Sequence, residues 1–388
     1  MSESMVVELR KFLAPEFLFG LDSRLLVGRY ARKLGAKRVL LVSDPGVARA
    51  GWTEETAGLL EAEGLSVHRF LGVSPNPRDS EVMAGAECYR EHACDFIVAV
   101  GGGSPMDCAK GIGIVVSNGG FILDYEGVDQ VPVPMPPLIC VPTTGGTAAD
   151  VSQFAIINNT AERVKIAVIS KAMVPDVDLI DPKTLLTMDP YLTACTGMDA
   201  LVHAIEAFVS NAHGPITDLH ALEAIRLVGA HLADSVAHPE DLELRAHIML
   251  ASLQAGLAFS NASLGCVHAM AHSLGGYKDL PHGECNALLL PHVMDYNFPV
   301  VPERFRRIGE ALGLDFRGLG ERECRARLLQ GVMELLKACG IEGGLATRGV
   351  STGDLSRLAS KAIEDPCNAT NPRPPSQEDL ESVYSEAL

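Results

Sequence analysis

The stretch DFIVAVGGGSPMD, Asp95 to Asp107, decides how this chain must fold. Its apolar run, Phe96 to Val100, has the length and β-branched content of a strand buried on both faces. Three glycines follow, which permit positive φ and a close approach of backbone to ligand. Ser104 is the expected N-cap of a helix, Pro105 suits its first turn, and Asp107 falls three residues after the cap. A helix N-terminus behind a glycine turn presents open N–H groups and binds anions, with a pyrophosphate as the natural occupant. A plain strand-to-helix turn would carry the same residues. The stretch is neither a G-x-G-x-x-G fingerprint nor a P-loop.

Working outward, Arg38–Ser43 (RVLLVS), Leu65–Phe70 (LSVHRF) and Pro137–Val141 (PLICV) read as further strands with helical stretches among them. Strand and helix alternating at this spacing predict a parallel sheet covered by helices. Gln153–Ile157 and Val164–Ser170, separated by NNTAER, predict an antiparallel hairpin added to that sheet. A second polar turn, Pro142 to Thr147 (PTTGGT), follows the strand PLICV. Ligands of open parallel sheets bind at the carboxyl ends of strands, and both turns occupy such ends, which favours a nucleotide site. Asp44 ends the first strand. Its carboxylate could accept hydrogen bonds from an adenosine ribose and repel a 2′-phosphate, favouring NAD over NADP, or could simply cap the next helix.

Beyond about Met188 the strand signals stop and amphipathic helices take over. The boundary is placed in DPKTLLTMDP, where Pro182 and Pro190 punctuate the chain, giving an α/β unit over 1–188 and a helical unit over 189–388. Ten of the twelve histidines lie at or beyond position 203. TGMDALVHAIEAFV sets Asp199 and His203 four apart, VHAMAHSLGG sets His268 and His272 four apart, and LPHGE adds His282. Residues i and i+4 share a helix face. Carboxylate and imidazole together suit a divalent transition metal such as iron or zinc. One Asp-x3-His pair is more often a hydrogen-bonded pair than a metal site. The case rests on the cluster, in which small residues (Ala269, Ala271, Gly275, Gly276) let backbones approach. His213, His220, His231, His238 and His247 read as surface or helix-flank residues, and His292 as structural.

Composition narrows the field. A chain of 388 residues is too long for one small core. A formal net charge of −17 argues against nucleic acid and anionic membrane surfaces as partners. Ten cysteines without a Cys-x-x-Cys pair look like scattered small hydrophobes in a reducing cytoplasm. The N-terminal MSESMVVELRKFL lacks the apolar core of a signal peptide, and no run approaches the roughly 18 consecutive apolar residues of a membrane span. The expectation is a soluble cytoplasmic protein.

With these segments in place, the chain resembles the iron-containing (group III) alcohol dehydrogenases over nearly its whole length. The resemblance runs through the Asp44 turn, SPNP, GGGSPMDCAK, PTTGGT, TGMDALVHAIE, VHAMAHSLGG, PHGECNALLLPHV and NPR. It implies a dehydroquinate-synthase-like fold: an α/β N-terminal nucleotide-binding domain with a parallel sheet, and an all-α C-terminal metal domain. It implies Asp199, His203, His268 and His282 as ligands of Fe²⁺, with Zn²⁺ as the alternative ion. It makes His272 a proton-relay residue near the nicotinamide of NAD rather than a ligand. Gly102, Gly103, Ser104 and Asp107 match the pyrophosphate and nicotinamide side. Asn76, Thr143, Thr144, Thr147, Lys165 and Leu185 match other cofactor contacts, and Asp44 matches the position linked to NAD preference. Phe259 and Cys367 match the substrate pocket. One departure stands out: the family's TTAGTGSEVT is TTGGTAADVS here, with Asp150 in place of glutamate and Gly145 in place of alanine.

The resemblance further implies reversible oxidation of small primary alcohols to aldehydes, with a Lewis-acid metal, hydride transfer to NAD and a homo-oligomeric enzyme. Two other readings remain. A dehydroquinate-synthase-like cyclase would need several basic residues for its anionic substrate, and the region from His268 to Asp295 offers only Lys278. A regulatory or sensing protein on the same fold would explain the TTGGTAAD departure but not the intact ligand pattern.

Overall fold

The computed structural model describes residues 10–388, so most of the N-terminal stretch read for a leader lies outside the described residues. The first part of the chain alternates strand and helix. It runs through β1 (Glu16–Phe19), α1 (Val27–Lys33), β2 (Arg38–Val42), α2 (Pro45–Arg49), α3 (Trp52–Ala62), β3 (Ser66–Phe70) and α4 (Asp79–Glu91). It continues with β4 (Phe96–Gly101), α5 (Gly103–Asn118), β5 (Gly127–Val128), β6 (Leu138–Pro142), β7 (Phe154–Asn159), β8 (Val164–Ile169) and β9 (Val177–Ile180). Helices follow: α6 (Pro190–Val209), α7 (Pro215–Ala237), α8 (Leu242–Ala262), α9 (Cys266–Lys278), α10 (His282–Asn297), α11 (Pro302–Ala311), α12 (Glu321–Ala338), α13 (Leu355–Ala362) and α14 (Gln377–Glu386).

Six strands form one parallel sheet in the order β1-β9-β6-β4-β2-β3. Successive side chains in a strand face opposite sides. Val39, Leu41, Val98 and Val100 accordingly pack under α1 and α3. Leu40, Val42, Ile97 and Ala99 pack under α4 and α5 on the other face. Burial on both faces explains why these strands are apolar at every position rather than at alternate ones. The chain leaves β2 for β3 on one side and β4 on the other, so the order reverses between β2 and β4. A topological switch point of this kind opens a crevice beyond the strand ends, where ligands of such sheets bind.

Two expectations need correction, and two strands had not been expected. The β7–β8 hairpin is antiparallel as expected, but it joins β5 in a separate three-stranded sheet instead of extending the first one. Besides its apolar packing, the hairpin is tied to the body by Lys110, buried on α5, whose Nζ donates to the carbonyls of Ser152 (2.8 Å) and Phe154 (2.7 Å). The cap of α5 is Gly102 rather than Ser104, which lies inside the helix. The two short strands β1 and β9 carried no readable signal: one is a half-exposed edge and the other holds the buried Asp178 at its centre.

Asp189 caps α6 by accepting from the N–H of Leu192 (2.9 Å), with Pro190 in the first turn. From Thr193 to Val209 every residue of α6 is buried, enclosed by α7, α8 and α10. This helix has the length and mean hydropathy of a membrane span, yet 94% of its apolar window is buried inside the molecule. It is the central helix of the second core.

Candidate metal and cofactor site

A cleft of about 1150 Å³ runs between the carboxyl ends of the strands and the helical layer. Its sheet end is made mainly of backbone. Gly102 opens α5 without a side-chain cap, so the first N–H groups of that helix stay available to a ligand. The second turn packs directly on the first: the N–H of Thr143 donates to the carbonyl of Gly101 (2.9 Å), and a Cβ on Gly102 would sit 2.9 Å from Thr144 Cγ2. Asp44 serves as the cap of α2, with Oδ1 accepting from the N–H groups of Gly46 (2.7 Å) and Val47 (2.9 Å). Both backbone bonds use the same oxygen, and the residue also lines the cleft. Capping and ligand recognition are therefore compatible here.

The other residues assigned to the cofactor divide in two. Ser104, Gly103, Asp107, Thr143, Thr144, Thr147, Asn76 and Lys165 all line the cleft. Leu185 does not: it is fully buried against the position of Gly145. Asn76 takes φ +58 and bridges the two halves of the molecule. Its amide donates to Asp279 Oδ1 (3.0 Å), and its Oδ1 accepts from Lys165 Nζ (2.7 Å). Burial pulls Lys165 below the usual lysine range and pushes Asp107 up to about 7.

The helical end is made of side chains. Asp199 and His203 lie one turn apart on α6, His268 is on α9, and His282 opens α10. Each offers one donor atom, and these atoms lie within 4.8 Å of one another. Asp199 Oδ1 is 3.8 Å from the Nε2 of both His268 and His282, and 4.0 Å from that of His203. Burial pushes His268 and His282 well below the ordinary histidine range, so both are neutral near pH 7 with a lone pair to give. The amide of Asn286, one turn beyond His282, donates to Asp199 Oδ1 (2.6 Å) and lies 3.1 and 3.2 Å from Nε2 of His268 and His282. One carboxylate oxygen and three imidazole nitrogens converging in one pocket are the donor types a divalent transition metal takes, so the residues present fit such an ion.

The far nitrogens of two of the three imidazoles are held as well. His203 Nδ1 sits 3.2 Å from the carbonyl oxygen of Gly146, which can only accept, so Nδ1 carries the hydrogen. Glycine is required at 146, because a Cβ there would stand 2.0 Å from the carbonyl oxygen of Thr196 on α6. His268 Nδ1 meets Glu206 Oε2 at 2.6 Å. Burial pushes Glu206 up to about 7 against the pull of the Val267 and Gly265 N–H groups. A cation one imidazole away would draw it back down. The Phe259 ring stacks on His203 at 4.3 Å and walls the cleft beside it.

His272 follows His268 by one turn of α9 but stands outside the four-residue cluster, beside Asp365 and Cys367. Its Nδ1 meets Asp365 Oδ2 at 2.7 Å, while Asp365 Oδ1 accepts from the N–H of Cys367 (2.8 Å). Burial alone would raise Asp365; the His272 imidazole and the Cys367 N–H outweigh it and hold the carboxyl below its usual range. His272 Nε2 is buried, has no partner among the described residues, and lines the cleft.

Asp150, the departure from the family pattern, is buried beside Asp178 and does not line the cleft. Burial and the Asp150 carboxyl together push Asp178 well above the usual range, so this pair retains a proton near Lys110. The shorter side chain therefore bears on the packing under the hairpin rather than directly on the cofactor surface. Sequence reasoning missed Glu206, Asn286 and Asp365. Glu206 and Asn286 carried a helical signal, since Glu206 continues the face of Asp199 and His203 at i+7 and Asn286 follows His282 at i+4. Asp365 carried none.

Comparison with known proteins agrees with this geometry. Residues 14–182 match the sequence model described as iron-containing alcohol dehydrogenase, and residues 193–388 match the Fe-containing alcohol dehydrogenase family, C-terminal. The 1,3-propanediol dehydrogenase of Klebsiella pneumoniae is 40% identical over 97% of this chain and 98% of its own length. A crystal structure of 1,3-propanediol oxidoreductase superposes with TM-score 0.95 at 39% identity, covering 98% of this chain and all of that one. The sulfoacetaldehyde reductase of Bifidobacterium kashiwanohense, solved with NAD⁺, gives TM-score 0.85 at 29% identity over 98% and 99% of the two chains. The chain belongs to the iron-containing alcohol dehydrogenase family. Its chemistry is accordingly the oxidoreduction of alcohols, with iron and NAD as cofactors.

Proposed function

We propose that this enzyme interconverts short primary alcohols and their aldehydes in the cleft between two working units, 1–188 and 189–388. NAD would lie along the sheet end, and the metal would be held by Asp199, His203, His268 and His282. The observation that carries this reading is the buried convergence of those four donor atoms at the end of a cleft whose other end is a helix N-terminus. When bound, the two cofactors supply what no side chain can: a divalent iron polarises the alcohol oxygen, and the nicotinamide accepts hydride.

The chain's own groups do the rest. The N–H groups at the start of α5, with Ser104 beside them, would receive the pyrophosphate. Asp44 would accept from the adenosine ribose, Asn76 and Lys165 would contact the cofactor where the two halves meet, and Thr143, Thr144 and Thr147 would hold its nicotinamide side. Asp365 keeps a hydrogen on His272 Nδ1, which leaves Nε2 facing the cleft as an acceptor for the alcohol proton. Phe259 excludes water beside His203 and limits the room for substrate.

Two further features support the choice of substrate and compartment. The relatives named for 1,3-propanediol act on a short diol, and the substrate end of this cleft is walled by Phe259 and Leu264. All ten cysteines are free thiols, nine of them buried, as a reducing cytoplasm would leave them. The test is anaerobic loading with Fe²⁺ followed by NADH consumption against aldehydes of two to six carbons. Metal-dependent consumption that falls with chain length is expected. A regulatory protein on this fold would bind NADH and metal yet consume nothing.

A further inference from the structure

We infer that Glu206 is the positioning residue of the metal centre, acting through His268. This rests on the ligand set proposed above. Glu206 lies on α6 one turn beyond His203, and its carboxylate reaches the N-terminus of α9. There Oε1 accepts from the N–H of Val267 (2.6 Å) and Oε2 meets His268 Nδ1 (2.6 Å). Both side chains are almost fully buried, so no water competes for either bond. A backbone N–H can only donate, which commits Oε1 to accepting. As a carboxylate, Glu206 then offers Oε2 only as a second acceptor, and His268 must carry its hydrogen on Nδ1. The Nε2 lone pair is thereby turned toward Asp199 Oδ1, 3.8 Å away. His203 receives the same service from a backbone carbonyl, whereas His282 Nδ1 has no partner among the described residues. His268 is thus the one histidine of the three whose Nδ1 is held by a replaceable side chain.

The same bonds also cap α9, so the test must separate capping from tautomer control. Glu206→Gln does so. Its carbonyl oxygen must stay on the Val267 N–H, which keeps the cap, and its NH₂ then faces His268 Nδ1 as a donor. His268 must move its hydrogen to Nε2 or turn away, and either change removes a ligand.

The measurement is chelator competition on the Zn²⁺-loaded holoprotein, with ¹⁵N-histidine NMR of the metal-free protein beside it, taken in alkaline solution where Glu206 is a carboxylate. Loss of such a supporting group weakens metal binding by about 10- to 100-fold, and that loss is expected for Glu206→Gln. In the spectra, His268 is expected as Nδ1–H in the wild type and Nε2–H in the variant. Asp365→Asn makes the same exchange at His272, and is expected to hold metal within about twofold of wild type. A folded Glu206→Gln protein with unchanged metal affinity would overturn the inference, as would equal losses in the two variants. If the variant does not fold, the wild-type spectrum alone decides, because a His268 protonated at Nε2 rules this role out. A wild-type protein that binds no metal would instead overturn the ligand set itself, and this inference with it.

Discussion

The two ends of the cleft are built of different material. At the sheet end, the turn before α5 presents backbone N–H groups behind glycines, which no point mutation can delete, with polar side chains around it. At the helical end, four side chains on three helices converge, two of the histidines held at their far nitrogens by a neighbour. The contrast follows from the ligands. A pyrophosphate spreads its charge over several oxygens and is met by many weak donors, whereas a metal concentrates charge at a point and demands a few strong ones. The sheet end should therefore fail most when its space is filled. The helical end should fail when one side chain is removed.

The largest effect is expected at the helical end. His268→Ala should lose metal and at least about 10³-fold in turnover, since a Lewis acid supplies several kcal/mol at about 1.4 kcal/mol per decade. Metal analysis beside steady-state rates checks this, and full metal content with a normal rate would break the comparison. His272→Ala should keep its metal and lose about 10²- to 10⁴-fold in rate, the range of general acid–base groups. Lost metal would show that the two histidines of α9 have been exchanged. At the sheet end, Gly102→Val should push on Thr144, where overpacking costs about 1–3 kcal/mol, and weaken NADH binding about 5- to 150-fold without touching the metal. Fluorescence titration reads that change. The smallest effect is expected for Asp44→Gly, which should narrow the preference for NAD over NADP by about tenfold or less. An unchanged ratio of kcat/KM values would leave Asp44 as a helix cap alone.

Legibility followed the same division of material. The strands around β4 were readable because burial on both faces leaves an apolar run that a glycine turn ends, and the histidines because i, i+4 spacing is written along one helix. What could not be read was long-range. Asp365 meets His272 across 93 residues of chain, and no local pattern marks it. Glu206 lay inside the quoted TGMDALVHAIE segment, but its partner is 62 residues away, so the helix face was visible and its purpose was not. The hairpin of β7 and β8 was visible as a pair, yet which sheet it joins depends on β5, a two-residue strand with no propensity signal of its own. The cap of α5 was misplaced by two residues because Ser104 is a better cap by residue type than Gly102, and packing of the two turns decided otherwise.

The central claim is that a metal held by Asp199, His203, His268 and His282 is required for hydride exchange between NAD and a short alcohol. The direct measurement is a titration of metal-free protein with Fe²⁺ under anaerobic conditions, following bound iron and NADH consumption with propanal on the same samples. The account predicts that the rate rises in proportion to bound iron and stops rising at one ion per chain. A rate independent of bound iron, or a fully loaded protein with NADH bound and no aldehyde of the series consumed, would contradict it.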